Sequence, residues 1–332
     1  MVPLALLALA ASVRASDFGA LPPIAPPRLY SALTLPATAV PEINSRLDFS
    51  GVTWAPSLTP QDRVAFALAL NISGSFEGEE AWATISNDFD GQGLSLGLLN
   101  QNLGQGSLQP LLQRMRAEHP DTWAVLFSSD HLKSISEMLD RWQSAAVMES
   151  LDAGPRRLDW RDEPVFAAQR AALSAEESSV AWAETNLYTD GGRTFDPVWK
   201  AELMALAGHP QYVSIQIDAA QGYHEKAAEY EGRIRVRQLR SYLMLFDIVV
   251  QNGGLYPDDL DDYAAYVKAN PNSTGTQRLQ KLLALRLRHV RPKYLADVRS
   301  RKNALINGTG VVHATRRNLP VEYNYPPLWP YR

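Results

Sequence analysis

The sequence predicts a mainly α fold, arranged as two helical lobes around a central cleft. Three observations point there. Apolar residues recur three or four apart in one segment after another beyond residue 59. Strand-like alternation is scarce, and no internal repeat or linker-like shift of composition divides the chain after residue 60. A chain of 332 residues, 45% of them hydrophobic, can bury a core of this size.

The elements follow in order. Met1–Ala11 is almost wholly apolar, and Val13-Arg14-Ala15 places small residues where a signal peptidase needs them, so residues 1–15 are expected to be a signal peptide. No Lys or Arg precedes the run, and Arg14 stands just before the cut; both depart from the usual pattern. Residues 16–58 carry Pro22, Pro23, Pro26, Pro27, Pro36, Pro41 and Pro56, a composition that resists helix and strand and reads as an extended, partly disordered leader. The folded domain is expected over 59–332. Thr59 can cap and Pro60 suits the first helical position of a helix running to Glu77. Further helices are expected over Ser107–Met115, Ser129–Trp142, Pro164–Leu173 and Asp196–Leu206. Tyr212–Val250 is long enough for two helices, with Tyr223, Ala227, Ile234, Leu239, Leu243 and Phe246 at helical spacing and Gly253-Gly254 as the stop. A basic helix, Thr276 to about Val298, follows, with Pro292 as a breaker inside it.

Composition excludes several classes. A net charge of −4 leaves no electrostatic footprint for nucleic acid. With no Cys there is no disulfide, thiolate metal site or cysteine nucleophile. The first apolar run is shorter than the about 20 residues that span a bilayer, so no integral membrane segment is expected in the mature chain. The six His show no paired ligand spacing, so neither a metal nor a cofactor is expected. Asp258, Asp259, Asp261 and Asp262 lack the alternation of a calcium loop and read as a solvated helix start. His313, after a short Gly-rich turn, reads as structural. The basic helix reads as a solvated face, with anionic glycans as the other use.

Chemistry concentrates in Ser73-Gly-Ser-Phe-Glu77 and Asn87-Asp-Phe-Asp90-Gly-Gln-Gly-Leu-Ser95. Glycoside hydrolysis needs one carboxylic acid to protonate the leaving oxygen and a second carboxylate to activate water or attack the sugar. Glu77, at the end of an apolar helix beside Phe76, suits the acid, because partial desolvation keeps a carboxyl protonated. Asp90, in a turn whose glycines admit close approach of a substrate, suits the base. Ser95 is the nearest hydroxyl that could hold the attacking water. Taken singly, Asp90-Gly91 is an ordinary turn signal.

Glu77 at a helix end, Trp82 in the connection and Asp90-Gly-Gln-Gly-Leu-Ser95 together resemble the active-site segment of bacterial chitosanases in the lysozyme-like superfamily. Gln216, Tyr223, Ala227, Arg240 and Phe246-Asp247-Ile-Val-Val-Gln251-Asn252-Gly253 resemble the helix pair of those enzymes. Asn102-Leu-Gly-Gln-Gly-Ser107-Leu-Gln-Pro-Leu-Leu112, after Phe89-Asp90-Gly-Gln-Gly, is similar to peptidoglycan-cleaving, muramidase-like domains. The resemblance covers about residues 60–310, and nothing aligns over 143–210. It implies a lysozyme-like fold and an inverting single displacement, with Glu77 as acid, Asp90 as base, Ser95 positioning water, and carboxyls roughly 6.5 to 9.5 Å apart. Gln92, Leu94 and Asn252 stand where chitosanases carry an Arg, an aromatic and a His.

The amide-rich run Asn100, Gln101, Asn102, Gln105 and Gln109 can hold sugar hydroxyl and acetamido groups, or serve as polar loop and caps. The expected substrate contacts are Gln92, Asn100, Asn102, Gln105, Gln216, Tyr223, Gln251 and Asn252. The expected activity is endo-cleavage of a β-1,4-linked amino-sugar polymer by a secreted or periplasmic enzyme. Peptidoglycan is the first substrate and chitosan the second; a glycan-binding or structural domain without turnover is the alternative from another class.

Overall fold

The computed structural model describes residues 42–78, 80–152 and 165–331. The expected signal peptide lies outside them, as does the leader up to Pro41. The described part of the leader, 42–58, is not extended away from the domain: Leu47 and Leu58 are buried, and Phe49 and Trp54 pack on the core. Proline content resists regular structure, but it leaves these apolar side chains free to pack.

Helix α1 (Pro60–Glu77) starts with a capping box. The Thr59 hydroxyl accepts from the Asp62 amide, the Asp62 carboxylate accepts from the Thr59 amide, and Pro60 occupies the first turn. A three-stranded antiparallel sheet follows, β1 (Ile85–Ser86), β2 (Ser95–Leu96) and β3 (Gln101–Asn102), each strand two residues long. The helices after it are α2 (Gln109–Glu118), α3 (Pro120–Leu126), α4 (Ser129–Asp152), α5 (Val165–Asn186) and α6 (Pro197–Gly208). The fold among the described residues is mainly helical.

The Tyr212–Val250 segment forms two helices, α7 (Pro210–Ile234) and α8 (Leu239–Asn252). The break falls where Arg235 and Arg237 adopt left-handed backbone, φ 54° and 46°. Gly253, φ 73°, ends α8 at the expected stop. Helix α9 (Pro257–Ala269) begins in the Asp258–Asp262 run, yet Asp259 is buried and paired with Arg288 at 3.0 Å, so that helix start is only partly solvated. The basic segment is not one helix. α10 (Gly275–Arg286) gives way to single turns at Leu287–His289 and Pro292–Tyr294, and α11 (Leu295–Asn307) continues beyond the expected end. A hairpin, β4 (Thr309–Val312) and β5 (Thr315–Asn318), and α12 (Leu319–Tyr323) complete the order.

Two hydrophobic cores result. One gathers α1, α8, α10, α11 and the C-terminal Tyr325, Trp329 and Tyr331. The other gathers α2, α6 and Leu94, Leu96 and Leu103 around the small sheet. Helix α8 is the axis of the first, since every residue from Ser241 to Val249 is buried. Helix α7 serves both cores, with Tyr212 and Ile215 in one and Ile217, Ala220 and Tyr230 in the other. The chain also crosses between cores at Gly97, because Leu96 belongs to one and Leu98 to the other. Gln216 braces that crossing: its carbonyl oxygen accepts from the Leu98 amide at 2.9 Å, and its amide donates to the Ala207 carbonyl at 2.8 Å.

Gly97 carries φ 88°, and a Cβ there would stand 2.5 Å from the Gln216 side-chain oxygen. Gly91, φ 79°, has open space around it. Gly91→Ala should therefore cost only the left-handed backbone, roughly 1–2 kcal/mol. Gly97→Ala adds the collision with the brace and should cost distinctly more, which urea unfolding of the two variants measures.

Candidate active site

Glu77 closes α1 and lines a cavity of about 650 Å³. The other walls are Gly74–Phe76 of the same helix, Leu98, Arg46, and Val312, His313, Thr315, Arg316 and Arg317 of the β4–β5 hairpin. A carboxylate at a helix C-terminus opposes the helix dipole, and the last turn of α1 contains no basic residue. The compensating cation comes from α11. Arg301 Nη1 lies 2.7 Å from Glu77 Oε1, and the Arg301 guanidinium stands 5.0 Å from the Phe76 ring centroid. Asn100 supplies the second contact, its Nδ2 donating to Glu77 Oε2 at 3.2 Å. Glu77 therefore sits in an ion pair, where the sequence reading placed it in apolar surroundings beside Phe76.

Arg301 has a second anion. Its Nη2 donates to Asp247 Oδ1 at 2.6 Å, and Lys302 Nζ lies 2.7 Å from Asp247 Oδ2. The side chains of Asp247 and Lys302 are wholly buried, and that of Arg301 is 2% exposed. Lys302 also donates to the Gln251 side-chain oxygen, the Gln251 amide donates to Asp297 Oδ2 at 2.6 Å, and His313 Nε2 meets Asp297 Oδ1 at 2.7 Å. One chain of polar contacts thus leads from Glu77 through the core to the hairpin turn, and both ends line the cavity.

Burial pushes the Asp247 carboxyl up, but the charges and hydrogen bonds of Arg301 and Lys302 more than offset it and hold the group at about 2. Burial pushes the Lys302 ammonium down to about 8 against the pull of Asp247. Burial opposes the charge on Arg301 as well, and Asp247 and Glu77 outweigh it, raising that group.

The structure brings Glu77, Asn100 and Gln251 into one connected site. Asp90 lies apart from the cavity walls, exposed on the loop between β1 and β2. Asp88 anchors that loop by accepting from the Gly93 amide at 2.5 Å, and Asp90 makes no ion pair among the described residues. Ser95 is buried in β2, paired with Ser86 of β1 and Asn102 of β3. Asn102 holds the turn after β3, accepting from the Gln105 amide at 2.8 Å, while the Gln105 side chain is exposed. The Gln92 carbonyl accepts from the amides of Leu94 and Gly104. Gln216 is the brace between the cores, Tyr223 is half-buried against the first core, and the Asn252 carbonyl accepts from Arg286 at 2.9 Å.

Sequence reasoning assigned no role to Asp247, Arg301, Lys302 or the hairpin arginines. A signal for the cations is present: Val298, Arg301, Lys302 and Leu305 stand at i, i+3, i+4 and i+7 on one helix face, and all four are buried. Cations on an apolar stripe need buried anions.

Asp247→Asn would leave Arg301 and Lys302 buried with too little negative charge, and it should cost about 3–5 kcal/mol at pH 7. The acid limb supplies a second readout. With the Asp247 carboxyl depressed from 3.8 to about 2, its contribution is present above pH 4 and is lost as pH falls toward 2, amounting to about 2 kcal/mol. Urea unfolding between pH 2 and 7 should show that limb in the native chain and its flattening in Asp247→Asn.

No protein-family model matches the chain, and no curated protein sequence matches it. Among solved structures it is similar to a complex of the Gynuella sunshinyii GH46 chitosanase with chitotetraose, at 17% identity and a TM-score of 0.44, over 78% of this chain and 98% of that one.

Proposed function

We propose that the chain is a glycoside hydrolase that cleaves a β-1,4-linked amino-sugar polymer within the strand, peptidoglycan first and chitosan second. The observation that carries this reading is the placement of Glu77: a cavity-wall carboxylate whose two oxygens are held separately by Arg301 and Asn100. A general acid must present its proton to one glycosidic oxygen from a fixed direction, and a carboxyl clamped at both oxygens cannot rotate away from it. Glu77 donates the proton to the leaving oxygen. Asp90, which makes no ion pair with another described residue, takes the proton of the attacking water from its Gly-rich loop, with Ser95 orienting that water, in a single inverting displacement. No step needs a metal or cofactor. Export with loss of residues 1–15, and a catalytic domain from residue 59 in a secreted or periplasmic enzyme, belong to the same proposal.

The competing reading is glycan binding without turnover. It draws support from Asp90, which stands outside the cavity that Glu77 lines.

Incubation of the purified protein with peptidoglycan and, separately, with chitosan separates these readings. Muropeptides released by the native chain and lost by roughly 10²–10⁴-fold in Glu77→Gln are the expected result by mass spectrometry. Asp90→Asn should lose turnover and retain binding, with azide restoring part of the cleavage. Glucosamine oligomers alone would make the enzyme a chitosanase, and fragments from neither polymer would leave the binding domain.

A further inference from the structure

The charges around the cavity do not balance. Six of its lining residues ionise or can: Arg46, Glu77, His313, Arg316, Arg317 and Glu322. Glu77 is matched by Arg301 at 2.7 Å, Arg317 by Glu322 at 2.8 Å, and His313 by Asp297 at 2.7 Å. Two guanidinium groups are left over. The Arg316 side chain is exposed and makes no hydrogen bond or ion pair with a described residue. The Arg46 side chain is 63% exposed and reaches Glu322 only at 3.8 Å, with that carboxylate already held by Arg317.

The wall that carries Arg316 is firmly seated. A Cβ on Gly310 would stand 3.0 Å from Ala304 Cβ, so the hairpin backbone lies directly on α11, the helix that holds Glu77. Its two-residue turn, His313-Ala314, has φ of 49° and 63° with no glycine, a conformation that costs energy and persists because the surroundings hold it. The Asp297 contact is one of those holds. Arg316 is therefore presented on a rigid support beside the reacting carboxylate.

We propose that Arg46 and Arg316 form an anion-recognising subsite of this cavity, which takes the carboxylate borne by a substituted amino-sugar residue, such as the lactyl ether of a muramic acid unit. The proposal rests on the glycosidase reading and names the substrate class of the same site. Guanidinium groups meet carboxylates with paired, charge-assisted hydrogen bonds. The ammonium groups of polyglucosamine would meet the unpaired Arg316 and the weakly paired Arg46 here and be repelled, and an uncharged N-acetylated polymer would gain nothing from them. The subsite thus separates three polymers that share one backbone linkage.

Binding is measured by calorimetry on a Glu77→Gln background, which removes turnover from the reading. The probes are peptide-stripped peptidoglycan strands with free lactyl carboxylates, and the same strands after their carboxyls are converted to methylamides. Adding Arg46→Gln and Arg316→Gln together should weaken binding of the carboxylate strands roughly tenfold and that of the methylamide strands several-fold less. Arg316→Gln alone should show part of the same difference, and added salt should erode it. Equal losses on both probes, or no loss on the carboxylate strands, would overturn the subsite. The glycosidase reading fails separately, through the absence of cleavage products from the native chain, and the binding comparison decides the subsite in either case.

Discussion

The buried pair of Arg301 and Asp247 determines where Glu77 can stand. Asp247 projects from α8, the most enclosed helix of the fold, and Arg301 from α11, so the contact joins two elements that hydrophobic packing alone would leave free to slide. Arg301 then extends to the end of α1, a third element. Packing brings these helices together in general terms; the ion pairs select one register, because a shift of one residue would strand a charge in the core. The cavity, the direction of the Glu77 carboxyl and the seat of the hairpin on α11 follow from that register.

The same arrangement makes the charges around Glu77 interdependent. Arg301 divides its guanidinium between two carboxylates, and Asp247 keeps its own second cation in Lys302. Without the Glu77 charge, the buried Arg301 and Lys302 would face the single carboxylate of Asp247. The network continues through Gln251 and Asp297 to His313, which ties the hairpin wall to Glu77.

Local signals in the sequence were legible where local physics decides the outcome. Thr59, Pro60 and Asp62 announce the start of α1, and Gly253 announces the end of α8, because caps and positive φ act within one turn. The division of the 212–250 segment at Arg235 was anticipated in number, but its place was not, since no Gly or Pro marks it. Residues 42–58 read as leader from their prolines, while Leu47, Phe49 and Trp54 found partners far along the chain. For the site, Glu77 was singled out by its place at a helix end, whereas its partner Arg301 lies more than two hundred residues away. Arg301 and Lys302 lie past Val298, the expected end of the basic helix, and drew no role; the apolar residues at 298 and 305 mark their face as buried. Gln216 and Ser95, whose expected roles were read from the resemblance and from spacing, lie where the cores meet and within the small sheet.

The most direct test of Glu77 as proton donor varies the leaving group. An oligosaccharide glycoside of dinitrophenol departs without protonation, whereas a sugar leaving group needs it. The account predicts that Glu77→Gln lowers cleavage of the natural glycan by roughly 10²–10⁴-fold and hydrolysis of the dinitrophenyl glycoside far less. Equal losses on both substrates, or undiminished cleavage of the glycan, would contradict it.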